Sequence, residues 1–169
     1  GDISEDYDKV AWSELIQDYT SMRNGGAMES TSINILKYPI LQAGFQIETD
    51  NKNLKEYIEW HFDSLKDAFG GSNGKVELIQ HILMALDFGC SFFEKLYEFG
   101  VKDDKGKTTN RISRMAPFKP ETIQEFHYDE EVMFCGIRHE RRNNLGVSDF
   151  VDIPVNKLFF YAHNAEFGD

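Results

Sequence analysis

The chain has 169 residues, 41% of them apolar and 14% aromatic, with a formal net charge of -11. That length and apolar content suffice for one domain with a core and exclude a disordered chain. The negative charge argues against nonspecific nucleic-acid binding, which runs on neutralising phosphates. In chain order, the acidic stretch "SEDYDKVAWSELIQDYTSMRNGG" predicts a helix with Val10, Leu15 and Tyr19 on a rough apolar stripe, ended by Gly25 and Gly26. "AMESTSINILKYPILQ" predicts a second helix, with Met28, Ile35 and Leu36 at near-helical spacing and Pro39 expected to kink or end it. "AGFQIET" reads as a short strand with Phe45 and Ile47 on one face. The clearest helix is "NLKEYIEWHFDSLKDAF", where Leu54, Tyr57, Ile58, Phe62, Leu65 and Phe69 form one stripe. "GGSNG" closes it as a loop. "KVELIQHILMALDFG" predicts another amphipathic helix with Val76, Ile79, Ile82, Leu83 and Leu86 inward, ended by Gly89.

From there the chain reads as strands. "SFFEKLYEFG" and "TTNRISRMAPF" flank "VKDDKGK", a β-hairpin with Gly106 supplying a positive φ near its turn. Its Gly-Lys-Thr echoes a phosphate-binding loop. That loop needs four residues between its first glycine and the Gly-Lys pair, whereas five, Val101 to Lys105, separate Gly100 from Gly106. It also needs a helix after it, and a strand follows. "EVMFCGIRHER" is a strand buried at one end and wet at the other, "NNLG" a turn, and "FVDIP" and "KLFFYAH" further strands around a corner at Pro154. Helices first and an antiparallel sheet after them make an α+β fold, N-terminal amphipathic helices packed on a mostly antiparallel sheet, as a single domain over 1–169. The ending "YAHNAEFGD" reads as a cut inside a longer protein.

Side chains able to do chemistry are sparse. Cys90 and Cys135 form no paired motif, which suits a reducing compartment and argues against a disulfide scaffold or zinc site. No apolar run reaches the length of a membrane span and no secretory signal opens the sequence, so a cytosolic chain is expected. Glu94 and Glu98 fall on one face of the hairpin strand, a carboxylate pair suited to acid–base chemistry or to salt bridges. His61 falls in a gap of one apolar stripe and His81 beside the next. "HYDEE", His127 to Glu131, has metal-capable groups without a ligand spacing. Arg138, Arg141 and Arg142 cluster without interleaved aromatics, as a solvated strand end does. No catalytic, cofactor or metal residue is assigned.

The order of segments adds a resemblance. "YTSMRNGGAMESTSINILKYPILQAGFQIE" resembles the opening of a tailed-bacteriophage portal protein, through Tyr19–Met22, Ile33–Leu36 and Phe45–Ile47. "LMALDFGCSFFEKLYEF" resembles that family's helix–Gly–strand corner, with Gly89, Ser91, Glu94 and Tyr97 matching its Gly-x-Ser-x-x-Glu-x-x-Tyr pattern. "MAPFKPETIQEF" is similar to the strand and Pro-rich corner that follow, through Pro117, Pro120 and Ile123. "DIPVNKLFFYAHN" is similar to the next strand, entered through Pro154 and Lys157. The similarity is closest to the Mu-like branch and runs from about Trp12 to the end. It implies the wing of a head–tail connector, a ring of identical subunits at one capsid vertex, assembled in the bacterial host cytoplasm and carried in the virion. A terminase motor drives DNA through such a ring, and capsid and tail or adaptor proteins dock on it. DNA passes without tight binding, no membrane or cofactor is involved, and the role is structural rather than enzymatic. The alternatives are an acidic metal-dependent hydrolase or nuclease using Glu94, Glu98 and His127–Asp129, and a small head–tail adaptor.

Overall fold

A computed structural model describes residues 12–142 and 146–162. The expected turn at "NNLG" and the ending after Ala162 lie largely outside them, as does Val10. Four helices come first: α1 (Trp12–Gly25), α2 (Ala27–Ala43), α3 (Lys52–Asp63) and α4 (Gly74–Ile82). A four-residue helical turn, α5 (Ala85–Phe88), leads into six strands: β1 (Cys90–Lys102), β2 (Thr108–Pro117), β3 (Ile123–Tyr128), β4 (Phe134–Arg142), β5 (Ser148–Pro154) and β6 (Leu158–Ala162). The fold is α+β. All strand pairings are antiparallel, but they make two three-stranded sheets, ordered β2-β1-β6 and β3-β4-β5.

The first sheet is the middle layer. Successive side chains of a strand point to opposite faces, and β1 uses both. Phe92 joins Ile123, Ile137, Ile153 and Leu158 in a core shared with the second sheet. Phe93, fully buried, joins Leu65 and Leu78 in a core under α3 and α4. The cross-strand pairs Phe92–Phe160 and Phe93–Phe159 put rings 5.9 and 5.7 Å apart on the two faces, an aromatic ladder of the kind that stabilises paired strands. Trp12 ties α1 to the second sheet: its indole N–H donates to the Pro120 carbonyl at 3.2 Å, and its ring meets Phe126 edge-on.

Several expectations fail locally. The α1 residue in the core is Ile16, while Leu15 and Tyr19 are half-buried. Pro39 does not end α2, which continues to Ala43 and is capped by the Gly44 N–H on the Ile40 carbonyl. Residues 44–50 are not a strand, because among the described residues no partner strand lies beside them; Phe45 instead meets Phe62 edge-on. α3 stops at Asp63 rather than Phe69. The Ser64 hydroxyl donates to the His61 carbonyl, and the Lys66 N–H then leaves the helix for the Ser113 carbonyl at the rim of β2. Leu65 reaches the core from that turn, Leu54 and Tyr57 are exposed, and Phe69 is 100% exposed. Gly74 is buried where a Cβ would lie 2.6 Å from the Leu65 and Lys66 carbonyl oxygens, so this glycine permits a close backbone crossing. The helix expected from Lys75 to Gly89 breaks after Ile82. Leu78, Leu83, Ala85 and Phe88 are its buried residues, and Val76 is exposed.

Candidate functional site

The corner between helices and sheet is built from the residues singled out by their pattern. Gly89 sits at φ 78, the left-handed cap that ends α5, and its N–H returns to the Ala85 carbonyl at 2.8 Å. Two residues later Ser91, buried, turns its hydroxyl back to the last carbonyls of α4, His81 at 2.8 Å and Ile82 at 3.2 Å. Its one proton is shared between two carbonyls at the helix end, of which that of His81 also accepts the Met84 N–H at 3.1 Å. Pro117 closes β2 opposite Phe93, and the Phe118 N–H completes the pair on the Phe92 carbonyl at 2.9 Å. Pro120 is buried under Trp12. Pro154 ends β5 opposite Gly136. A Cβ at Gly136 would lie 2.5 Å from the Ile153 carbonyl oxygen.

Glu94, Pro154 and Lys157 come together. With Phe118, His139 and Arg141 they line a cleft of about 330 Å³ beside the core between the two sheets. The His139 ring lies 4.7 Å from the Phe118 ring. Burial holds its pKa below the ordinary value; the Glu94 carboxylate pulls the other way and Arg141 adds to the depression. The cleft thus sets two acids, Glu94 and Asp152, an imidazole and two basic side chains along one seam, a polar contact between layers. Tyr97 is apart from it, exposed and stacked on Phe99 at 6.3 Å.

The other candidates are engaged elsewhere. Glu98 does not act with Glu94. It accepts hydrogen bonds from Arg111 at 2.8 and 3.1 Å and from Lys66 at 3.4 Å, which lower its pKa in that order. Four residues along a strand also separate the two Cα atoms by about 13 Å. His127 lies 3.9 Å from Glu125 and 3.7 Å from Asp152, and the Arg138 guanidinium bridges those same carboxylates at 2.8–3.2 Å, filling the place of a cation. Asp129 accepts the Glu131 and Met133 N–H groups and shapes a turn. Among the described residues, no group of three His, Cys, Asp or Glu side chains could hold a metal ion. His61 bonds the Tyr57 carbonyl of its own helix, and burial lowers the His81 pKa. Cys90 and Cys135 are free thiols, and burial pushes Cys90 up to about 11, far from a reactive thiolate.

The Gly100–Thr108 segment is a hairpin tip. Asp103 Oδ1 accepts the Lys105 and Lys107 N–H groups, Gly106 stands at φ 76, and Lys105 reaches Glu56 of α3 at 2.8 Å. Two of the amides that a phosphate would need are spent on Asp103. Sequence reasoning missed one feature: the buried carboxylate Asp87, 2% exposed, which Lys37 of α2 pairs directly and Arg23 approaches at 4.0 Å. An acid in an otherwise apolar run, "LMALDFG", is its signal. Among the described residues, no helix is long and apolar enough to cross a membrane. The chain matches no protein-family model, and a comparison with curated proteins finds no match either.

Proposed function

We propose that this chain is a structural module of the body of a portal-type ring, a wing segment through whose assembly DNA passes. The single observation that carries the reading is the Gly89–Ser91 corner. There the residues that resemble the portal pattern are committed to turning and capping, so helices and sheet form one braced unit. Glu94 and Lys157 add a polar seam between the layers in the same reading. The net charge of -11 suits a wall past which a polyanion moves without sticking. Identical neighbours, terminase, capsid and tail proteins are the partners this reading implies, in the virion and, during assembly, in the host cytoplasm. The test is negative-stain microscopy of the native gene product that contains this sequence. Closed rings of one stoichiometry are expected. A product that stays monomeric, and whose melting temperature rises with Mn²⁺ or Zn²⁺ concentration, would favour the metal-dependent hydrolase and end the ring reading.

A further inference from the structure

Among the described residues, two apolar surfaces stand open. The first is the outer face of α2. At 100° per residue, Met28, Ser32, Ile35, Leu36 and Pro39 fall in one sector of the helix. Met28 is 81% exposed, and Ile35 and Leu36 are both more than half exposed. The single polar side chain among the five, Ser32, turns its hydroxyl onto the Met28 carbonyl at 2.8 Å, and Pro39 has no N–H. The sector offers carbon and no unspent donor. The second surface is a groove of about 550 Å³ between α3, α4 and the first sheet, floored by Ile112, Met115 and Phe159 and walled by Tyr57, Phe62 and Ile79. His61 lines it too, with its Nδ1 spent on the Tyr57 carbonyl. Lys95 is the charged residue of the lining.

We infer that α2 of one copy docks its outer face in this groove of a second copy, a head-to-tail contact. The chain's own α2 cannot fill the groove. Lys37 leaves the opposite side of α2 and pairs with buried Asp87, which holds the apolar sector outward. Charge selects the occupant. Two molecules of net charge -11 repel wherever acidic surfaces meet. The α2 sector carries no charge, and the groove carries a lysine and no acid, so these are surfaces on which two copies approach with least repulsion. An amphipathic helix in an apolar groove is a recurring recognition geometry. Because the two surfaces differ, the contact is heterologous and repeats from copy to copy, closing into a ring or running on as a filament. The inference rests on the proposed ring only for that closure.

Sedimentation velocity tests it, at high salt where screening reaches about 3 Å. The wild-type chain should self-associate as concentration rises. Ile35→Asp blocks the helix face, and Lys95→Glu or Tyr57→Glu blocks the groove. All three positions are exposed or half-buried, and circular dichroism confirms that each variant folds. Each variant alone should need roughly tenfold more protein to associate. An equimolar mixture of a face variant with a groove variant should recover a one-to-one complex and stop there. A face or groove variant that self-associates as readily as the wild-type chain, or a mixture that stays monomeric, overturns the contact. So does a wild-type chain that remains monomeric throughout. Closed rings from the native product that survive both variants would reject this contact and leave the ring reading standing. A complementing mixture supports the contact even where the native product forms no ring.

Discussion

Gly136 and His139 show how narrowly single residues fit between the layers. A methyl group at Gly136 would meet the Ile153 carbonyl oxygen at 2.5 Å and the Pro154 Cα at 3.2 Å, and these are backbone atoms that cannot swing away. Gly136→Ala should therefore destabilise by about 1–3 kcal/mol, the range for overpacking, as read by urea denaturation. His139 makes stability depend on pH. Its folded pKa lies below the unfolded value because burial disfavours the imidazolium. Below the unfolded value of about 6.5 the unfolded chain binds the proton first. The contribution is complete above that pH and is lost as pH falls through the folded pKa. His81, depressed chiefly by burial, acts in the same sense. Melting temperature should fall as pH drops below neutrality, and His139→Gln should flatten that slope. An unchanged slope would assign it to other groups, His81 and the hydrogen-bonded carboxylates among them.

At the scale of elements, α2 is held by one buried ion pair. Lys37→Met leaves Asp87 at 2% exposure with Arg23 4.0 Å away. Breaking a buried pair from one side costs about 3–5 kcal/mol, and the double variant Lys37→Met/Asp87→Leu should recover most of it in thermal melts. The two phenylalanines of the helix-side core should also differ. Phe93→Ala, at a fully buried position, should cost about 3–5 kcal/mol. Phe62→Ala should cost clearly less, because Phe62 is half-buried and lines an open groove. Equal losses in chemical denaturation would show that the groove is closed in solution. These elements also mark how far the sequence could be read. The hairpin, the Gly89 corner and the helices-then-strands order were legible because turn chemistry and periodicity are local. Periodicity found the apolar residues of α2 and α3 but could not say that Met28, Ile35 or Leu54 would stay exposed, since burial depends on what arrives from elsewhere. Glu94 was visible, but its neighbours His139 and Arg141 come from a strand about forty-five residues away, and such pairing leaves no local trace.

At the scale of the molecule, the strands split into two sheets with the first as a shared middle layer. A run of strands predicts antiparallel pairing but not this partition, which is decided by β6 returning to β1 rather than joining β5. The arrangement gives β1 two cores to serve, through Phe92 and Phe93. Bracing a thin sheet from both sides suits a part that transmits force without deforming, which the proposed wing would be.

That return of β6 also sets a clock on biosynthesis. Phe92 and Phe93 are made early, but their partners Phe160 and Phe159 on the strand that covers their edge come more than sixty-five residues later. At about 5–20 residues per second, the two rings wait several seconds beside an unpaired edge. A nascent chain arrested after Arg142 should be cut by protease near β1, whereas the released chain should resist. Equal resistance would mean that β1 and β2 are stable before β6 exists. Otherwise β6, made well after β1, decides whether β1 survives, and chaperone demand should concentrate in that interval.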